Sequence, residues 1–319
     1  MMKLRAFAPG DYPAIVDIHN SLNIVWPERP RTPEAWEKAD RNRNSSVKYQ
    51  RWVAVEDERV VGFAEYRQGP IEYPPLSFWV NVEVAPEYQR RGIGSMLFDE
   101  VTQTLQGFNP PALRADAFTN LPQGFSFLQN RGFFEAFRET PVHLEISTFD
   151  PQPYEGMEAK MKSDGIVIKT LRELKTDPDR DRKLYELYWK TIEDVPQEGD
   201  GIQKPDFAEW QNWGLNDPSI LPDAYFIATC GEAYIGVREL GTYPDGDVLM
   251  GGLLGVLREY RQRGIGLALQ LRGIAYAREN GYRFLKTCTA IQNAPMQFLF
   301  NKLGYCRDPE WQQCQKDLL

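Results

Sequence analysis

Histidine is nearly absent from this chain and cysteine is scarce: 2 and 4 residues among 319. His19 and His143 fall in the first half, whereas Cys230, Cys288, Cys306 and Cys314 all fall in the second, with no CxxC pair. Metal centres and disulfide frameworks need clustered ligands or regularly spaced cysteines, so the expectation is no metal and reduced thiols. Long apolar runs are also missing. The longest uncharged stretch of apolar residues and glycine, Val248 to Leu257, is ten residues, where a membrane-spanning helix needs about 20. Met1-Met2-Lys3-Leu4-Arg5 leads into polar sequence without a secretory apolar segment, so the start reads as mature cytoplasmic protein with no membrane partner. Positive charge is in deficit too: 37 basic against 45 acidic side chains leave a net charge of −8. No whole-molecule field exists to draw in nucleic acid, and any polyanion must be held locally.

What remains is a full globular complement, 42% hydrophobic and 26% charged, long enough for two domains of about 100–200 residues each. The chain repeats itself. Val82-Glu83-Val84-Ala85-Pro86-Glu87-Tyr88-Gln89-Arg90-Arg91-Gly92-Ile93-Gly94 recurs as Leu254-Gly255-Val256-Leu257-Arg258-Glu259-Tyr260-Arg261-Gln262-Arg263-Gly264-Ile265-Gly266, an offset of 172. Arg131-Gly132-Phe133 returns at the same offset as Leu303-Gly304-Tyr305, and Trp52-Val53-Ala54-Val55 returns as Phe226-Ile227-Ala228-Thr229, offset 174. Residues 1–150 carry 16 basic and 20 acidic side chains and 151–319 carry 21 and 25, so each half is −4. The turn-rich Phe149-Asp150-Pro151-Gln152-Pro153 marks the break. Domains of 1–150 and 151–319 follow, with a linker near 150–165.

Each half has one coarse order. A short strand and a helix come first (Tyr12 to Leu22; Arg180 to Ile192). A hairpin follows, turning at Asp57-Glu58 and at Gly231-Glu232, then a third strand into the shared motif. After the motif, Ile93, Leu97, Val101 and Leu105 recur every four residues, and Ile265, Leu269 and Ile274 leave a similar stripe, so a helix is expected in both. A strand, an Asn, a helix and a Gly-aromatic pair close the unit. This is a mixed α/β sheet built twice.

The repeated element, strand then Gln/Arg-x-x-Gly-x-Gly then helix, places a glycine-loosened turn at a helix N-terminus. Unsatisfied N–H groups and the positive end of the helix dipole make an anion site there, and glycine lets a phosphate approach the backbone. Arg90, Arg91, Arg261 and Arg263 add positive charge where the rest of the chain is acidic. The pattern suits a pyrophosphate. A dinucleotide fingerprint fails because Leu97 and Leu269 stand where its third glycine would be, and a P-loop fails for want of Gly-Lys-Ser/Thr.

With these residues both halves resemble the acetyl-CoA-dependent GNAT N-acyltransferase family, and the whole chain resembles its tandem-domain members. The resemblance implies two mostly antiparallel twisted sheets flanked by helices, and acetyl-CoA as cofactor. It implies pyrophosphate contacts from Gln89, Arg90, Arg91, Gly92, Ile93, Gly94 and Ser95, and from Arg261, Gln262, Arg263, Gly264, Ile265, Gly266 and Leu267. Pantetheine pairing falls to Val82 and Val84 and to Leu254 and Val256, and Asn120 and Asn293 are implied cofactor contacts. Glu83 stands where many members keep the general base, and its counterpart is Gly255; Glu83 also reads as an ordinary cross-strand residue. The family's frequent tyrosine acid is missing: Phe300 follows Asn293 by seven, and Phe127 or Leu128 takes the equivalent place. Water, Tyr66 or Tyr243 would then protonate the thiolate, with backbone N–H near Val84 or Val256 facing the oxyanion. Glu65 and Glu239 align as alternative bases or as strand charges. Trp26, Trp36, Trp210 and Trp213 read as pocket walls or as core lids.

The expectation is thus acetyl transfer to a primary amine of a small molecule or peptide, in which one half can be non-catalytic. The alternative is a non-enzymatic acyl-CoA-binding regulatory module. The chain would act as a monomeric pseudo-dimer or as a homodimer.

Overall fold

The computed structural model describes residues 2–22, 30–43, 47–68, 77–196, 204–216, 220–242 and 246–318. In chain order the elements are β1 (Lys3–Ala6), α1 (Tyr12–Leu22), α2 (Pro33–Arg41), β2 (Tyr49–Glu56), β3 (Arg59–Gln68), β4 (Phe78–Val84), α3 (Ile93–Gln106), β5 (Ala112–Phe118), α4 (Pro122–Gln129) and β6 (Phe134–Glu145). Then follow α5 (Met157–Ser163), β7 (Ile166–Thr170), α6 (Arg180–Ile192), α7 (Phe207–Gly214), β8 (Phe226–Cys230), β9 (Ala233–Thr242), β10 (Val248–Val256), α8 (Ile265–Glu279), β11 (Phe284–Ala290), α9 (Ala294–Lys302), β12 (Cys306–Arg307) and β13 (Trp311–Asp317). Among the described residues no helix is long and apolar enough to cross a membrane.

Among the described residues the chain divides into two compact units, one of residues up to 138 with 309 onward, the other of residues 139–196 and 204–308. The first unit's sheet runs β1-β2-β3-β4-β5-β13, with β4 and β5 parallel and the other neighbours antiparallel. The second runs β7-β8-β9-β10-β11-β6, with β10 and β11 the parallel pair. In each unit the strand beside the parallel pair is supplied from the other half of the sequence. Glu139 to Glu145 of β6 pair with Ala290 to Phe284 of β11, and Trp311 to Asp317 pair with Phe118 to Ala112 of β5.

Local chemistry explains the elements. Asp57 and Glu58 take positive φ, 47° and 68°, the type I′ geometry whose twist matches that of the strands it joins. The four-residue spacing on α3 lays Ile93, Leu97, Val101 and Leu105 against Ala64, Val80 and Val84 on one face of the sheet. Each such buried aliphatic side chain stabilises by about 1.5–3 kcal/mol. The strand alternation sends Phe63 and Val53 to the opposite face, under Ile15, Val16 and Trp36 of α1 and α2. The second unit repeats the three layers. Leu269, Ile274 and Phe300 cover one face, and Leu184, Leu187 and Trp210 cover the other.

Candidate active site

In both units the parallel pair parts early. β4 pairs with β5 only at Phe78↔Leu113 and Trp79↔Arg114, and β10 with β11 only from Val248↔Phe284 to Met250↔Lys286. Beyond those pairs, the edges of Val80 to Val84 and Gly251 to Val256 make no ladder pairing with that partner, and Gly251 keeps only a bond from the Thr287 hydroxyl to its carbonyl. Val82, Val84, Leu254 and Val256 lie on these edges. β4 is regular against β3, whereas β10 shifts register against β9 between Gly251 and Leu254. The bulge therefore lies upstream of Val256, and none interrupts the β3–β4 pairing near Val84.

Each free edge ends at the glycine loop. Gly92 and Gly264 cap α3 and α8 with φ of 83°, and neither cap provides a side-chain hydrogen bond. Arg90 (φ 61°) and Gln262 (φ 63°) are left-handed as well, so successive main-chain N–H groups turn inward to form an anion-binding nest. A Cβ on Gly92 would meet nothing within 4 Å, and one on Gly266 would meet only Val256 at 3.9 Å. Space, donors and dipole at the N-terminus, with the free edge leading to it, fit a diphosphate carrying an extended arm.

The predicted loop residues divide into distinct jobs. Gln89 Nε2 donates to the Val84 carbonyl at 3.0 Å and Arg261 Nε to that of Val256 at 2.9 Å, so the first motif position ties the loop to its strand. Ile93 and Ile265 are core residues, 3% and 1% exposed, leaving their N–H groups as the functional part. Arg91 pairs with Glu56 at 2.7 Å, and Arg263 lies over the Tyr260 ring. Ser95 Oγ accepts from Arg131. Leu267 is half-buried in the second core. Asn120 is exposed after β5, and the Asn293 side-chain oxygen accepts from the Met296 N–H, capping α9.

Glu83 lies on β4 opposite Phe63, on the face covered by α1 and α2. His19 Nδ1 stands 3.0 and 3.1 Å from its two carboxylate oxygens, and Asn81 Nδ2 donates to Oε1 at 3.0 Å. Both side chains are partly shielded, 25% exposed for His19 and 14% for Glu83, and the Trp36 ring meets His19 edge-on. Sequence reasoning singled out Glu83 without His19, which is 64 positions away. The signal available was a histidine on the helix facing β4. Glu65 accepts from Arg51 Nε at 2.7 Å and from the Tyr49 hydroxyl at 2.8 Å, while Arg51 also holds Asp40 at 3.0 Å. Burial, helped by Glu65, pushes the Tyr49 phenol far up.

The second unit differs at the same place. Gly255 occupies Glu83's position, and a Cβ there would come 2.5 Å from the Cβ of Thr191, which stands 172 positions after His19. Glu239 lies beside Gly252, and burial, helped by the Glu239 charge, raises the Tyr188 and Tyr225 phenols. Phe300 and Leu128 are core residues, and burial raises the Tyr66 phenol. Trp36 and Trp210 are core residues too, 6% and 0% exposed. Trp26, Tyr243 and the Trp213 side chain lie outside the described residues. Among the described residues no three His, Cys, Asp or Glu side chains are grouped to hold a metal ion.

The sequence model of the acetyltransferase (GNAT) family matches this chain twice, over residues 15–133 and 182–305. A mycothiol acetyltransferase of Acidothermus cellulolyticus is 24% identical over 273 residues, 80% of this chain and 75% of that protein. One from Rhodococcus opacus is 27% identical over 262 residues, 80% and 79%. Among solved structures, a GCN5-related N-acetyltransferase from Sphaerobacter thermophilus superposes with a TM-score of 0.76 at 17% identity, over 99% of this chain and 95% of that one. A tandem GNAT protein from the clavulanic acid biosynthesis pathway gives 0.71 at 18% identity, over 99% and 98%.

Proposed function

Because the chain belongs to the GNAT family and is an N-acetyltransferase, we propose that its first unit is the catalyst, moving acetyl from acetyl-CoA to a primary amine of a small molecule or peptide. The observation that carries this reading is the His19–Glu83–Asn81 cluster, which the second unit lacks. The name shared by the mycothiol acetyltransferases supports a small-molecule acceptor.

Acetyl-CoA supplies an activated thioester open to attack by an amine. Glu83 accepts the proton that the amine sheds. An ionised carboxylate only accepts hydrogen bonds, so His19 carries its proton at Nδ1 and donates it. With Asn81 on Oε1, the two donors fix the carboxylate so that less reorganisation accompanies proton transfer. The N–H groups of Gly92, Ile93, Gly94 and Ser95, with Arg90 and Arg91 alongside, would hold the diphosphate, and the edge at Val82 and Val84 would hold the arm. With Phe127 and Leu128 in the place of a tyrosine acid and Tyr66 buried in the core, neither site would offer a tyrosine acid, and water would supply the proton that the CoA thiol needs on release.

The second unit keeps the loop and the free edge without the carboxylate, so we assign it acyl-CoA binding in support of the first. Blocking each loop in turn tests the assignment. Gly94→Trp should abolish thiol release from acetyl-CoA with an amine acceptor, and Gly266→Trp should leave it within a few-fold of wild type. The reverse pattern would move catalysis to the second unit.

A further inference from the structure

The second unit has a buried arginine where the first has alanine. Arg238 on β9 pairs with Leu254 of β10 as Ala64 on β3 pairs with Val82 of β4. Arg238 is 1% exposed. Its Nη1 donates to the Gly252 carbonyl at 2.9 Å, while Nε and Nη2 have no hydrogen-bond partner among the described residues. These two nitrogens form one edge of the guanidinium, the side-on fork that grips a carboxylate through two parallel bonds. A buried, half-satisfied cation is expensive, and burial pulls the pKa of Arg238 down to about 10 against the favourable influence of Tyr305 and Glu239.

The fork lies where β10 leaves β11. Met250 is the last residue paired with β11, and a Cβ on Gly251 would come 2.3 Å from Nη2, so glycine is what gives the guanidinium room. Thr287 of β11 donates to the Gly251 carbonyl at 2.9 Å. An acyl-CoA diphosphate at Gly264 would send its arm back along the edge of β10 from Val256. The five steps to Gly251 span about 17 Å at roughly 3.3 Å per residue, a distance suited to an extended pantetheine, so the acyl end arrives at Gly251–Gly252.

We propose that the second unit selects an acyl-CoA whose acyl group ends in a carboxylate, with Arg238 as the seat of that carboxylate and Gly251 as the residue whose missing side chain leaves the guanidinium its place. The inference rests on the reading that the second unit holds CoA along β10. The fork is sealed from solvent in the structure, so entry widens the gap between β10 and β11.

Native mass spectrometry and calorimetry on the full chain test this with malonyl-, succinyl- and glutaryl-CoA against the neutral butyryl-CoA. At least one carboxylated thioester should bind tenfold or more tightly than butyryl-CoA, at a site that Gly266→Trp removes. Arg238→Met should erase the preference while butyryl-CoA still binds, Gly251→Ala should do the same, and Arg238→Lys should keep part of it. Equal affinities in the wild-type chain, at a site that Gly266→Trp removes, would overturn the arginine's role and leave the CoA reading standing. If Gly266→Trp removes no bound CoA of any kind, both fall. The wild-type comparison decides even if an Arg238 variant fails to fold.

Discussion

Thr191 fills the space that any side chain at Gly255 would need: a Cβ on residue 255 would lie 2.5 Å from the threonine Cβ and 2.8 Å from its Oγ1. Thr191 is itself pinned, donating from Oγ1 to the Leu187 and Tyr188 carbonyls at 2.9 Å. The second unit thus has no carboxylate at the position of Glu83 and is packed against acquiring one there. Gly255→Glu should create no activity in a chain inactivated by Glu83→Gln, and should destabilise by about 1–3 kcal/mol through overpacking. Urea unfolding and thiol-release assays read both outcomes. Restored turnover would show that the threonine yields.

His19→Gln should lower kcat by about tenfold to a hundredfold while the KM for acetyl-CoA stays put, because in the proposed mechanism the ring serves to orient Glu83 and has no part in holding the cofactor. The pH–rate profile distinguishes this from a structural defect. Loss of the Nδ1 donor should move the basic function's apparent pKa, whereas a folding defect would lower the whole curve without moving it.

Arg51 sits between Glu65 and Asp40 with 1% of its side chain exposed. Arg51→Met leaves two shielded carboxylates without their cation, and breaking a buried pair from one side costs about 3–5 kcal/mol. A matching fall in the unfolding free energy is expected. Glu65→Gln should reduce stability more than turnover, and the opposite ranking would make Glu65 the base.

Arg258 and Arg261 close on Asp194 beneath the second glycine loop, holding its carboxyl at about 2, below the ordinary 3.8. A depressed folded-state pKa gives stability that is complete above the unfolded value and lost as pH falls through the folded one. Asp194→Asn should therefore be less stable than wild type at pH 5 and above. The gap should narrow from about pH 4 and close near pH 2. Denaturant midpoints across that range check it.

Much of this was legible in the sequence because glycines and periodic aliphatics carry local information. Gly92 and Gly264 must be glycine to cap their helices at positive φ, and the four-residue stripe of α3 can only face a core. Residues whose roles depend on distant partners were not legible. The exchange of Glu139 to Glu145 for Trp311 to Asp317 follows from strand pairing outside the repeated landmarks. His19 meets Glu83 only once α1 lies over β4. Gln89 and Arg261 resemble ligands in a motif, yet in the fold their side chains bond to their own strand ends, and the side-chain oxygen of Asn293 is used as a helix cap.

The central claim is that Glu83 is the base of a one-site catalyst. Its most direct test is the full-length Glu83→Gln variant, assayed for thiol release from acetyl-CoA with an amine that the wild-type chain acetylates, alongside calorimetric titration with acetyl-CoA. Turnover should fall by about 10²–10⁴ with affinity and melting temperature unchanged. Turnover within a few-fold of wild type at unchanged affinity would contradict the claim.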